Sequence, residues 1–78
     1  MEPEKGLIVC ATAGRDRGKF FVMLETDREY ALIADGKTRK LDSPKRKNLK
    51  HLRMTGKKAA LMNLTDKKLR EMLKEFTV

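Results

Sequence analysis

The chain has no tryptophan, one tyrosine and three phenylalanines in 78 residues. Grooves for proline-rich peptides and cages for methylated ammonium groups are built from clustered aromatics. That kind of recognition has too little to work with here. A sheet that stacks single-stranded bases on exposed rings is disfavoured on the same ground. Cysteine and histidine occur once each, as Cys10 and His51. A single cysteine excludes an internal disulfide, and one of each cannot build a usual zinc site. Cys10 lies in an apolar run and reads as a small core residue with nothing nearby to activate it. No hydrophobic run approaches the roughly 20 residues that span a bilayer. Leu7 to Ala11 is too short for a signal-peptide core, and acidic Glu2 and Glu4 precede it. A cytoplasmic location is the expectation from this pattern.

Catalysis finds no support either. The lone His51 sits in a basic run, so neither a Ser-His-acid nor a Cys-His arrangement can be argued. The Gly14/Gly18 spacing matches neither a dinucleotide fingerprint nor a P-loop. We expect a protein that is not an enzyme, with no cofactor, no metal and no small-molecule substrate.

What the chain does have is positive charge. Nineteen Lys and Arg against eleven Asp and Glu give a formal net charge of +8. A field of this sign attracts polyanions. The charge is also uneven: residues 37–58 hold ten Lys or Arg and one acid, Asp42. Seven of these cations, Lys45, Arg46, Lys47, Lys50, Arg53, Lys57 and Lys58, fall within fourteen residues, with no acid between Ser43 and Asn63. Such a run repels itself unless phosphates or other anions relieve it. Nucleic acid is the first partner class to consider and an anionic membrane surface the second.

Seventy-eight residues make one domain with a modest core of Leu, Ile, Val and Met. Leu7-Ile8-Val9-Cys10-Ala11 and Phe20-Phe21-Val22-Met23-Leu24 are short, partly β-branched or aromatic runs bounded by turn residues, which predicts strands over residues 6–12 and 19–25. The first is apolar at both alternating sets of positions, as in a strand of a curled sheet covered on both faces. The loop between them, Gly14-Arg15-Asp16-Arg17-Gly18-Lys19, has a glycine at each corner and holds three cations. A third strand is expected over 29–34. Asp35-Gly36 then signals a two-residue hairpin leading to a short, charged edge strand over 37–41. Asp42-Ser43-Pro44 breaks the sheet, and His51-Leu52-Arg53-Met54 is expected as the last strand, with Leu52 and Met54 facing inward. Residues 65–76 carry a helical signal. Thr65 is the N-cap, Leu64 and Leu69 occupy staple positions, and Leu69, Met72, Leu73 and Phe76 form one apolar stripe. Asp66 and Arg70 stand one turn apart, the spacing of a stabilising pair. A helix this short needs its stripe docked on the rest of the fold.

The run Ala13-Gly14-Arg15-Asp16-Arg17-Gly18-Lys19, preceded by Ile8-Val9-Cys10 and followed by Phe20-Phe21-Val22-Met23, resembles a KOW motif. The later run Asn48-Leu49-Lys50-His51-Leu52-Arg53-Met54-Thr55 is similar to a segment of KOW-type large-subunit ribosomal proteins, in which Asn, His-Leu and Thr recur at this spacing. One departure is that Phe20 and Phe21 stand where many KOW motifs carry another glycine. The resemblance covers most of residues 6–55. It implies a small SH3-like β-barrel that binds RNA, commonly ribosomal RNA.

Taken together, these features lead us to expect a mainly β protein: an SH3-like, KOW-type β-barrel of about five strands plus a C-terminal α-helix. The expected layout is a frayed N-terminus over 1–5, a barrel over 6–55, a basic linker over 56–64 and a helix over 65–77 packed on the barrel. The expected function is non-enzymatic RNA binding, associated with the ribosome, through contacts to phosphates. The expected contact residues are Arg15, Arg17, Lys19, Arg39, Lys40, Lys45, Arg46, Lys47, Lys50, His51, Arg53, Lys57 and Lys58. The alternatives are a protein-interaction module of the same fold and a basic peripheral membrane protein.

Overall fold

The computed structural model describes residues 2–76. Five antiparallel strands form one sheet: β1 (Leu7–Ala11), β2 (Phe20–Thr26), β3 (Tyr30–Ala34), β4 (Lys45–Asn48) and β5 (Leu52–Lys58), in the order β4-β3-β2-β1-β5. A 3-10 turn, Leu49–His51, separates β4 from β5. Helix α1 (Asp66–Leu73) follows and tightens into a second 3-10 turn, Lys74–Phe76. The protein is thus mainly β, with five strands and one C-terminal helix, as its sequence pattern implies. Thr77, the last residue of the expected helix, lies outside the described residues, as does Met1 of the expected frayed terminus.

The two faces of the sheet have separate cores. Leu7, Val9 and Ala11 of β1, Phe21 and Met23 of β2, Ala31 and Ile33 of β3 and Leu52 of β5 form one buried cluster, with Leu49 and Met54 packed against it. Apart from Leu49, all of these come from the sheet itself. A flat sheet cannot bury its own face, so this one wraps around that cluster, as strand twist allows. The other face presents Ile8, Val22 and Ala34 to Leu69 and Leu73 of α1. Leu64, Met72 and Phe76 surround that contact. Burial on both faces is why β1 is apolar at every position and buried throughout.

The curl is not a closed barrel, because β4 and β5 are the sheet's edges and do not pair with each other. The β1–β5 register shifts between Leu7 and Val9, where β5 carries Gly56 at φ +86°. Thr55 Oγ1 donates to Ile8 O at 2.8 Å across this irregularity.

Two strand assignments differ from the expectation. Residues 37–40 form a turn, not an edge strand, and the fourth strand is Lys45–Asn48. The cause lies in Asp35. Its Oδ1 accepts from the backbone N–H of Lys37 at 2.9 Å and of Arg39 at 2.8 Å, and Thr38 Oγ1 donates to its Oδ2 at 2.9 Å. The N–H groups of Asp35 and Gly36 both donate to Arg39 O. Backbone groups that a ladder would need are satisfied inside the turn. The last strand also starts one residue late and runs on to Lys58, so residues 56–58 of the expected linker are strand.

The N-cap reading of α1 holds: Thr65 Oγ1 accepts from Lys68 N at 3.1 Å. Asp66 and Arg70 do not pair with each other. Asp66 Oδ1 accepts from Leu41 N at 2.8 Å, and Arg70 Nη1 donates to Gly36 O at 2.7 Å. Both side chains tie the helix to the 35–41 turn, which binds them more firmly than an exposed pair one turn apart would.

Candidate nucleic-acid interface

The loop from Thr12 to Lys19 joins β1 to β2 and folds back over the open side of the curl. Gly14 and Gly18 adopt φ of +76° and +85°, the left-handed conformations that make its corners. Inside it, Asp16 is only 6% exposed and is the one buried charged residue among those described. Its Oδ2 meets Lys45 Nζ of β4 at 2.6 Å. The Lys45 hydrogen bond holds the Asp16 carboxyl below its ordinary pKa. Burial opposes this shift, and the charges of Lys45, Lys47 and Arg39 reinforce it. Lys47 Nζ donates to Ala13 O at 3.0 Å.

The strand register explains these two reaches. Lys45 and Lys47 lie opposite Ile33 and Ala31, residues of the inner face, and so point toward the open side of the curl. On the far side of the loop, Thr12 N donates to His51 O at 2.8 Å. Side-chain hydrogen bonds from Lys45 and Lys47 thus tie the loop to β4, and a backbone hydrogen bond ties its first residue to the Leu49–His51 turn.

Several of the expected contact residues come together at this end of the molecule. Arg15 and Arg17 project from the loop and are exposed. Arg39 lies within electrostatic reach of Asp16. Lys45 and Lys47 lie beneath the loop, Lys45 with its charge already paired. Lys50 and half-buried His51 stand on the adjoining 3-10 turn. Lys19 and Lys40 border a groove on the helix side of the same loop.

Others lie apart. Arg46 points to the opposite side of β4, where its guanidinium stacks 3.8 Å above the Tyr30 ring. Arg53 lies opposite Cys10 on the helix-bearing face. Lys57 and Lys58 are at the far end of β5, since Lys58 pairs with Leu7 while Leu52 pairs with Ala11 beside the loop. Four residue steps along β1 separate those ends, about 13 Å at strand rise. Lys58 is also paired with Glu4 at 3.2 Å. The run 45–58, continuous in sequence, is thus divided between two ends and two faces, because β5 carries it away from the loop.

Sequence reasoning passed over Asp16, which it read only as part of a basic loop. A lone acid among four cations in residues 15–19 and 45 gives no local sign that one of those cations is 29 residues away in sequence. It also passed over the groove. This opening, of about 940 Å³, lies between Gly18–Phe20, the 35–40 turn and one side of α1. Lys37, Lys67 and Arg70 line it, besides Lys19 and Lys40. Among the described residues no three of His, Cys, Asp and Glu are grouped as a metal site would need. Nor is any helix among the described residues long and apolar enough to cross a membrane. No family model matches the sequence, and no curated protein matches it.

Proposed function

We propose that this protein is a non-enzymatic, KOW-type RNA-binding protein of the cytoplasm, associated with the ribosome, and that it grips the phosphate backbone of folded RNA. The observation that carries this reading is the loop of Arg15, Arg17 and Lys19 held against β4 by the Lys45–Asp16 pair and the Lys47–Ala13 hydrogen bond. Two positive segments far apart in sequence are fixed side by side, so the cations keep their spacing without a ligand. Pre-set donors at fixed positions suit a rigid, regularly spaced polyanion. Phosphate contacts position a protein without reading sequence, so recognition rests on RNA shape. The preference for RNA over DNA rests on the likeness to KOW proteins rather than on charge.

The test is the salt dependence of binding to a fluorescently labelled RNA hairpin. Neutralising about six phosphates gives a slope of log affinity against log salt of roughly −4 to −5. A slope near zero would remove the reading. Arg15→Gln, Arg17→Gln and Lys50→Gln together should weaken binding while leaving the thermal melt in place, because all three residues are exposed. Charge reversal at Lys45 or Lys47 is a poorer test, since those side chains also hold the loop. Flotation with anionic vesicles separates this reading from a membrane-surface protein.

A further inference from the structure

We infer that the groove between the 35–40 turn and α1 is a second phosphate-contacting surface, over which an RNA strand leaving the Arg15–Lys19 loop continues. This inference rests on the RNA-binding reading above and extends it to a face that the sequence did not indicate. The groove begins where the loop ends: Gly18, Lys19 and Phe20 are among its lining residues. A backbone seated on the loop therefore has a continuous path onto it.

Cations outnumber acids around the groove, and four of the cations are uncommitted. The ammonium groups of Lys19, Lys37, Lys40 and Lys67 make no hydrogen bond or ion pair with any described residue. Most other lysines of the fold have partners within it: Lys5 with Glu25, Lys45 with Asp16, Lys58 with Glu4, Lys47 with Ala13 O and Lys68 with Asn63 O. Of the two acids that line the groove, Asp35 already accepts three hydrogen bonds in its own turn, from Lys37, Thr38 and Arg39. Glu71 is then the one carboxylate left to face the cations. Like charges gathered round one opening favour an anion with several charges at regular spacing.

The walls are also fixed to each other. Leu41 N is bonded to Asp66, and Arg70 reaches Gly36 O. Gly36, at φ +76°, packs so closely on the Asp66 carbonyl that a Cβ would collide with it. The turn and the helix therefore present their lysines as one rigid unit. The floor is apolar, made by Phe20 and Leu73, so a sugar-phosphate strand can lie against it without stranding a protein polar group.

The experiment compares the wild type with three variants against a fluorescein-labelled RNA hairpin over a salt series, with a thermal melt of each protein. The first is Lys37→Gln, Lys40→Gln and Lys67→Gln; the second changes the same three positions to Arg; the third is Arg15→Gln with Arg17→Gln on the loop. The Gln variant should melt with the wild type, bind at least about tenfold more weakly at low salt and lose about two to three from the magnitude of the salt slope. The Arg variant should bind within about twofold of wild type. The groove proposal is overturned if Arg15→Gln with Arg17→Gln weakens binding while the Lys-to-Gln variant keeps both affinity and slope. If the wild type itself does not bind the hairpin at low salt, the underlying reading falls first and the groove falls with it.

Discussion

Asp16 shows how much one side chain can organise. Replaced by Asn, it would leave the Lys45 ammonium beside Lys47 and Arg39 with no counter-charge. Because Lys45 keeps some contact with solvent, the loss is smaller than for a fully buried pair, about 1–3 kcal/mol at neutral pH. For a domain of this size that lowers Tm by about 4–8 °C per kcal/mol. The pH dependence has a definite sign. The carboxyl of Asp16 is held below its ordinary value in the folded state. Its stabilisation is therefore present above the unfolded pKa, near 3.9, and is lost as pH falls through the lower folded value. Urea denaturation of wild type and Asp16→Asn should give stabilities that differ at pH 7 and begin to converge as pH falls below about 4. A difference that stays constant down to about pH 2 would show that the ionised pair contributes nothing.

Two glycines make a second test at this scale. Gly18 and Gly36 both have positive φ, but nothing lies within 4 Å of where a Gly18 Cβ would stand. Gly18→Ala should cost only the conformational term, about 1–2 kcal/mol. At Gly36 the same term is joined by a collision with the Asp66 carbonyl, which the helix holds in place. Gly36→Ala should therefore lose clearly more stability than Gly18→Ala in paired thermal melts. Equal losses would mean that the turn and helix move apart at little cost.

Among the elements, α1 depends most on the rest of the fold. Its eight residues are too few to be stable alone. What keeps it helical is the Thr65 cap together with Leu69 and Leu73 buried against Ile8, Val22 and Ala34. Thr65→Ala should cost about 1 kcal/mol and Leu69→Ala about 2–5 kcal/mol, read as shifts in the urea midpoint with an unchanged slope. The strand β4 is a different case. Its four residues, Lys45–Asn48, have no apolar side chain. It persists through pairing with β3, the contacts of Lys45 and Lys47 with the loop, and the Arg46 stack on Tyr30. This is also why the sequence misplaced it. A strand made of Lys-Arg-Lys-Asn has no hydrophobic period, whereas residues 37–41 followed a persuasive Asp-Gly signal.

Over the whole molecule, two cores share one five-stranded sheet. Val9 of the inner cluster and Ile8 of the outer one are adjacent in β1, so neither core can open without disturbing the strand that serves both. Unfolding should be a single cooperative transition, with circular dichroism and tyrosine fluorescence giving the same midpoint. Val9→Ala and Leu73→Ala, on opposite faces, should each shift that one transition. Separate midpoints would show that the helix side melts by itself. The positive field is likewise a property of the whole. A net charge of +8 is spread over both faces, and Arg15, Arg17, Lys19, Lys37, Lys40 and Lys67 of those cations stand around the loop and the groove beside it.

The sequence alone determined the mainly β class, the first three strands, the Thr65 cap, the apolar stripe of the helix and the sign of the field. Each of these is written in neighbouring residues, through a period, a turn signal or a composition. Only the tertiary structure decided which cations share a surface. That depends on β4 crossing to Asp16, on β5 carrying Lys57 and Lys58 to the opposite end, and on the 35–41 turn locking onto the helix. Contacts between residues 25 or more positions apart leave no local trace in the chain, because the side chains that make them are chosen for partners they meet only once it has folded.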